Sequence, residues 1–157
     1  MLKIGIDNGV TGSIAIINDN ELQLHATPTK KVINYQKKKS NVTRVDVPKL
    51  KEILEPFKGS ITIVNIERPM VNPTRFAASA SALRALEATL IVLEELGLGY
   101  KFVDSKEWQK KYLQEGIKGA NNLKKASLER GIQMFPSLEE EIRKQGDADA
   151  IFIAFLD

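Results

Sequence analysis

Four acids stand where a carboxylate is costly unless something compensates it: Asp7, Glu67, Asp147 and Asp149. Asp7 ends the apolar run LKIGID, Glu67 follows the apolar run SITIVNI, and Asp147 and Asp149 open the apolar segment in QGDADAIFIA. An ionised carboxylate at the end of a buried strand needs a counter-charge, and a bound cation supplies one. Several carboxylates within a few ångströms repel one another, and divalent cations between them remove that repulsion. Two such ions roughly 3.5–4 Å apart would activate a water and stabilise the leaving oxygen of a phosphodiester. The chain has no cysteine and one histidine, His25, so any metal must be held by oxygen. That points to Mg²⁺, with Mn²⁺ as a substitute.

Taken singly, each acid has an ordinary explanation. Asp7 before Asn8-Gly9 suits a turn. Glu67 can pair with Arg68 or Arg75. Asp147 suits a helix N-cap and Asp149 the helix dipole. Taken together, all four border apolar elements at ends that can converge.

The elements that must position them can be read in order. Residues 2–7, 12–18 and 21–27 are three strands, with a turn signal at Asn18-Asp19-Asn20, giving an antiparallel meander. Residues 28–45 are polar and lysine-rich, expected to be an irregular surface excursion. Asp46 and Pro48 start a helix that runs to about Phe57. Residues 60–66 form a buried strand, 68–75 a loop with two prolines, and 77–96 a helix rich in small residues at its start. Tyr100 to Val103 is a short strand. Helices follow from Asp104-Ser105 and over 122–134, a charged turn over 139–144, and a last helix over 147–156. Strands that alternate with helices after a meander imply an α/β fold: a mixed sheet between helices.

The 157 residues suit one domain. Hydrophobic residues make up 43 % and charged residues 27 %, as in an ordinary globular protein. No apolar run approaches the ~18–20 residues of a membrane span, and the N-terminus enters a strand directly, so neither membrane nor leader is expected. The absence of cysteine fits a reducing compartment, hence the cytoplasm. Net charge is only +3, but Lys30, Lys31, Lys37, Lys38, Lys39, Arg44, Lys49 and Lys51 face the single acid Asp46. Such a block suggests a polyanion partner.

IGIDNGVTGSIAI, VNIERP and GDADAIFIA together resemble the RuvC-type Holliday junction resolvases of the RNase H-like superfamily, most of all the compact versions encoded by bacteriophages. The likeness runs over nearly the whole chain, in order. It implies a five-stranded mixed sheet with the first three strands antiparallel and helices on both faces. It also implies a homodimer and Mg²⁺-dependent nicking of Holliday junctions and other branched DNA, in recombination and repair or in resolving phage DNA in the host cytoplasm before packaging. The catalytic acids implied are Asp7, Glu67 and Asp149 with Asp147 close by, holding two ions and leaving 5′-phosphate and 3′-hydroxyl ends. One departure matters. The family sets its last two ligands three residues apart, which would put the partner of Asp149 at Gly146. Asp147 is only two residues away, some 200° round a regular helix. Both can face a metal only if Asp147 precedes the helix, a turn that Gly146 permits. Asn8 stands where the cellular enzymes commonly have proline.

DNA contacts follow from charge and from the resemblance. The run Lys30, Lys31, Lys37, Lys38, Lys39 with Arg44 suits an outer phosphate clamp. Lys118, Lys124 and Lys125 lie where the family keeps basic residues near the scissile phosphate. Arg68 and Arg75 flank the loop that leaves Glu67, and Met70 or Phe76 could wedge against an unstacked base, ordinary core packing being the alternative. Trp108 and Tyr112 share one helical face and read as core. Two rivals stand beside the nuclease. One is a branched-DNA-binding module without activity, which requires Asp147 to fail as a ligand. The other is an actin-like kinase-type ATP-binding domain, since DNGVTGS also resembles its first phosphate turn; that needs a second domain and a second phosphate turn.

Overall fold

Alternation along the first strand decides which side of the sheet each later element covers. The computed structural model describes residues 1–19 and 21–156. Strand β1 (Leu2–Asp7) lies at its centre, with Ile4 and Ile6 toward one face and Gly5 and Asp7 toward the other. It pairs antiparallel with β2 (Ser13–Asn18), which pairs antiparallel with β3 (Glu21–Ala26). After the hairpin β4 (Thr29–Ile33) and β5 (Asn41–Val45) comes helix α1 (Val47–Leu54). Strand β6 (Ile63–Glu67) lies parallel to β1 on its other side. Helix α2 (Phe76–Glu95) follows, then β7 (Gly99–Val103), parallel to β6. The sheet order is β3-β2-β1-β6-β7. Four helices complete the chain: α3 (Ser105–Tyr112), α4 (Ala120–Met134), α5 (Glu139–Gln145) and α6 (Asp149–Ala154).

The two faces carry two cores. Ile4, Ile6, Ile14, Ile16, Val64 and Ile66 pack against Leu50 and Leu54 of α1 and Val92 and Leu93 of α2. Ala15 and Ile17 pack with α6 and with Trp108 and Ile142. Each such buried aliphatic side chain contributes roughly 1.5–3 kcal/mol of transfer free energy. Helix α6 meets the sheet closely because Gly5 has no side chain: a Cβ there would lie 2.3 Å from the Ala150 carbonyl oxygen and the Ala154 nitrogen. Asn65, of the same parity, donates to the carbonyls of Ile153 and Leu156 and fastens the far end of α6.

Three expectations need correction. Residues 28–45 are not irregular: Thr29–Ile33 and Asn41–Val45 pair antiparallel as a separate hairpin. Its β-branched residues are diluted by lysines, and its order comes from the partner strand rather than from local apolar content. The segment 139–144 is helix α5, not a turn. Buried Ile142 anchors it, Arg143 pairs with Glu139 at 2.7 Å one turn away, and acids in its first turn with bases in its last match the helix dipole. Helix α2 with its preceding turn, Pro73–Glu95, is by length and composition long and apolar enough to cross a membrane. One side of it, Ala85, Thr89, Val92 and Leu93, is buried, while Phe76, Leu83 and Ile91 are exposed. Smaller shifts concern element ends, with β6 beginning at Ile63 and α6 at Asp149. In the turn after β2, Asp19 has φ 54°, and Asn20 lies outside the described residues.

Candidate metal centre

Register brings the first two acids together. Ile6 stands opposite Ile66 in the parallel β1–β6 pair, so Asp7 and Glu67 come next at the same end and on the same face, the face of α6. The last two acids arrive from the opposite side of that face. Helix α5 ends on Gly146 in the left-handed conformation, φ 93°, which turns the chain sharply. Asp147 therefore precedes α6, and Asp149 is its first residue. The two-residue spacing is no obstacle, because the intervening backbone is not helical. The Asp149 N–H donates to Asp147 Oδ1 at 3.3 Å, which holds the pair in one turn.

Asp7, Asp147 and Asp149 each offer a carboxylate oxygen, and these oxygens lie within 4.8 Å of one another. Glu67 stands at the rim of this trio. Its Oε2 accepts a 2.6 Å hydrogen bond from the Trp108 indole N–H, not from Arg68 or Arg75. Trp108 is buried and stacks on Phe152, ring centroids 5.9 Å apart, so its N–H is held in aim. Trp108 is thus core, as expected, but its polar edge also fixes an acid. Replacing it with Phe keeps the ring and deletes the donor. Urea denaturation at neutral pH should show a loss of about 1–3 kcal/mol, the usual cost of an unpartnered buried acceptor.

Burial and mutual repulsion set the electrostatics of the cluster. Burial pushes the Asp7 carboxyl well above its ordinary range, and the charges of Asp149, Glu67 and Asp147 push it further. Burial and then Asp147 raise Asp149 to about 7, against the Ser127 hydroxyl, which donates to its Oδ1. Burial likewise raises Glu67, opposed by the Trp108 N–H, and raises Asp147, opposed by the Asp149 amide and Lys124. Asp147 is fully buried, yet its Oδ2 has no hydrogen-bond partner. Lys124 Nζ stands 3.5 Å from that oxygen, in ion-pair range. A buried oxygen met only by one lysine ammonium, in an all-carboxylate set, fits a hard divalent cation that demands oxygen ligands.

Helix α4 closes the site from above. Its Gly131 meets Ala148 so closely that a Cβ would lie 2.3 Å from the Ala148 Cβ. That approach lets Ser127, one turn earlier on α4, accept from the Ala148 N–H at 3.1 Å while donating to Asp149. Lys124, one turn earlier again, reaches Asp147. Reading the sequence alone missed Ser127, since a serine inside a helix carries no signal without its partner. Asn8, standing in place of the proline, has a use here: its side-chain amide donates to the Ala82 carbonyl at 3.1 Å and ties the turn after Asp7 to α2.

The basic candidates divide. Lys124 alone of them contacts the acids. Lys125 points to Glu129 at 3.9 Å, and Lys118 lies in the loop before α4. Lys30, Lys31, Lys37, Lys38, Lys39 and Arg44 are all exposed on or around the β4–β5 hairpin. Arg68, Met70, Arg75 and Phe76 are exposed after β6, so Met70 and Phe76 are not core.

No protein-family model matches the chain, and no curated protein does. Solved structures do. A Thermus thermophilus RuvC in complex with a Holliday junction substrate superposes with a TM-score of 0.60 at 16 % identity, covering 98 % of this chain and 90 % of that one. A second Thermus thermophilus RuvC structure gives 0.54 at 15 %, covering 98 % and 91 %. The mixed sheet with three antiparallel leading strands, the helices on both faces and the agreement along almost the whole chain give one result: this protein has the RuvC fold, an α/β fold of the RNase H-like kind.

Proposed function

We propose that the protein is a metal-dependent endonuclease that nicks branched DNA, four-way junctions included. The observation that carries this reading is the convergence of Asp7, Asp147 and Asp149 within 4.8 Å, with the charge of Glu67 acting on Asp7 and Asp149. These four would hold two Mg²⁺ or Mn²⁺ ions. Bound there, the metal supplies charge neutralisation, a water of lowered pKa and stabilisation of the leaving oxygen. The rest falls to the chain. Ser127 holds the Asp149 carboxylate in one orientation, and Trp108 holds that of Glu67. Lys124 sits beside the acids with its side chain half exposed, free to turn toward a phosphate. Arg68, Arg75 and the hairpin lysines would meet flanking phosphates, and Met70 would lie near the branch point. The exposed apolar side of α2 suits a twin, and a homodimer would set two sites against two strands. The RuvC neighbour with a Holliday junction bound lends the substrate class.

Lys124 also separates the metal-free from the loaded site. It is a built-in counter-ion that opposes the raised pKa values of Asp7, Asp147 and Asp149. Lys124→Met removes a cation that competes with the metal for Asp147 but lets the acids take up protons more readily, so by calorimetry Mg²⁺ binding should become more steeply pH-dependent, while DNA is cleaved more slowly.

The deciding experiment is a junction-cleavage assay in Mg²⁺ with wild type, Asp7→Asn and Asp147→Asn. Cleavage by wild type that disappears in Asp7→Asn supports the nuclease. Junction binding without cleavage by wild type would make the protein a binding module instead, and ATP turnover would favour the kinase-like reading. Full activity in Asp147→Asn would remove Asp147 from the ligand set.

A further inference from the structure

The β4–β5 hairpin is built at a cost to its own stability. Lys30 stands directly opposite Arg44 in the ladder, and like charges in that position destabilise a strand pair. Residues 29–45 contain six cations and no acid. None of these cations is ion-paired among the described residues. A two-stranded ribbon is marginal by itself, and this one is held at its root. Val45 is buried, the Asp46 N–H donates to the Pro28 carbonyl, and the Thr27 N–H donates to the Gly12 carbonyl. Gly12 belongs to the turn after Asp7, so the hairpin leaves the sheet at the same end as the acids. Its five-residue strands make an arm roughly 17 Å long.

The tip is not merely basic. The Asn34 N–H donates to the Ser40 carbonyl and closes a loop that carries Lys37, Lys38 and Lys39. On that loop Tyr35 is 90 % exposed, and Ile33, at the end of β4, is 76 % exposed. Cations alone serve any DNA, because every DNA presents phosphates. A bare aromatic ring among them has no use on a duplex, whose bases are stacked inside. It has a partner in an unpaired strand, where each base offers a free face.

We infer that the hairpin tip is a binding site for unpaired DNA, with Tyr35 stacking on a base while Lys37, Lys38 and Lys39 hold the phosphates around it. It rests on the reading above that the protein acts on DNA. It names the preferred substrate as a branch that carries a single-stranded arm or open bases several nucleotides from the cut, in preference to a fully paired one.

The test uses the full chain with Asp7→Asn, so that nothing is cleaved. Fluorescence anisotropy would follow its binding to an oligothymidine, a duplex and a fork with one single-stranded arm. Adding Tyr35→Ala should weaken the oligothymidine and the fork about tenfold, in line with the loss of one base–aromatic stack, and leave the duplex within about twofold. Tyr35→Phe should restore both. Replacing the three lysines by Gln should weaken all three probes and flatten their salt dependence. The inference falls if Tyr35→Ala loses less than about threefold on the fork, if it loses as much on the duplex, or if Phe fails to rescue. Wild type that cleaves junctions alongside an indifferent Tyr35 overturns the tip alone. Tyr35-dependent strand binding in a wild type that never cleaves upholds the tip and overturns the nuclease.

Discussion

Asp149→Asn should melt higher than wild type in metal-free buffer at about pH 8, by roughly 10 °C, while losing Mg²⁺-dependent cleavage by on the order of a thousandfold. On the proposed function, stability and activity move in opposite directions, because the acid serves a cation rather than the fold. Burial and the charge of Asp147 raise its pKa from 3.8 to about 7. Ionising it in the folded protein therefore costs on the order of 4 kcal/mol relative to the unfolded chain. Asparagine removes that cost and still offers Oδ1 to the Ser127 hydroxyl, so the clamp survives. It cannot neutralise a divalent ion. Calorimetric melts in EDTA, paired with a nicking assay, measure both halves. A variant that is less stable than wild type without metal, or that cleaves at a normal rate, would show that Asp149 is a structural helix-start residue.

Removing the metal should reverse the pH dependence of stability. Asp7, Glu67, Asp147 and Asp149 all have folded pKa values above their ordinary ones. Between those two ranges the folded state holds more protons than the unfolded state, so stability falls as pH rises. In EDTA the contribution of these acids to the melting temperature should thus be largest below about pH 4 and decline through about pH 7, as Asp149 ionises. Saturating Mg²⁺ should lift it above about pH 7, by about 2.7 kcal/mol at a hundred times the dissociation constant, and do little near about pH 5, where protons occupy the acids. A metal-free melting temperature that stays flat over that range, or an equal Mg²⁺ effect at both ends, would mean that the four acids do not act as one site. Lys124 softens the decline without abolishing it, being a single, partly solvated charge against four.

Much of this site was legible before any coordinates. Asp7 and Glu67 announced themselves because a carboxylate ending a run of Ile and Val has few cheap explanations. Parallel pairing of their strands then made them neighbours. Asp147 was legible only as a question. A two-residue spacing excludes both acids from one helical face, and the answer depended on where α6 begins. Gly146 at φ 93° settles it by ending α5 and leaving Asp147 in non-helical chain. The hairpin was unreadable for a different reason: lysines broke its apolar pattern, and its order comes from strand partnership and from Val45 buried near α2. Trp108 was read as core, which it is, but its N–H on Glu67 is a matter of one bond's direction.

The amino-acid sequence by itself determined the kinds of chemistry available: oxygen ligands only, four acids at the ends of apolar elements, and a basic block with a single acid in it. Those follow from residue type and periodicity, which are local. The tertiary structure alone decided which oxygens meet, which serine and which indole hold them, and which lysine stands beside them. Apart from the Asp147–Asp149 pair, those are contacts between residues 22 to 142 positions apart, set by strand register and by the close approach of helices at Gly5 and Gly131.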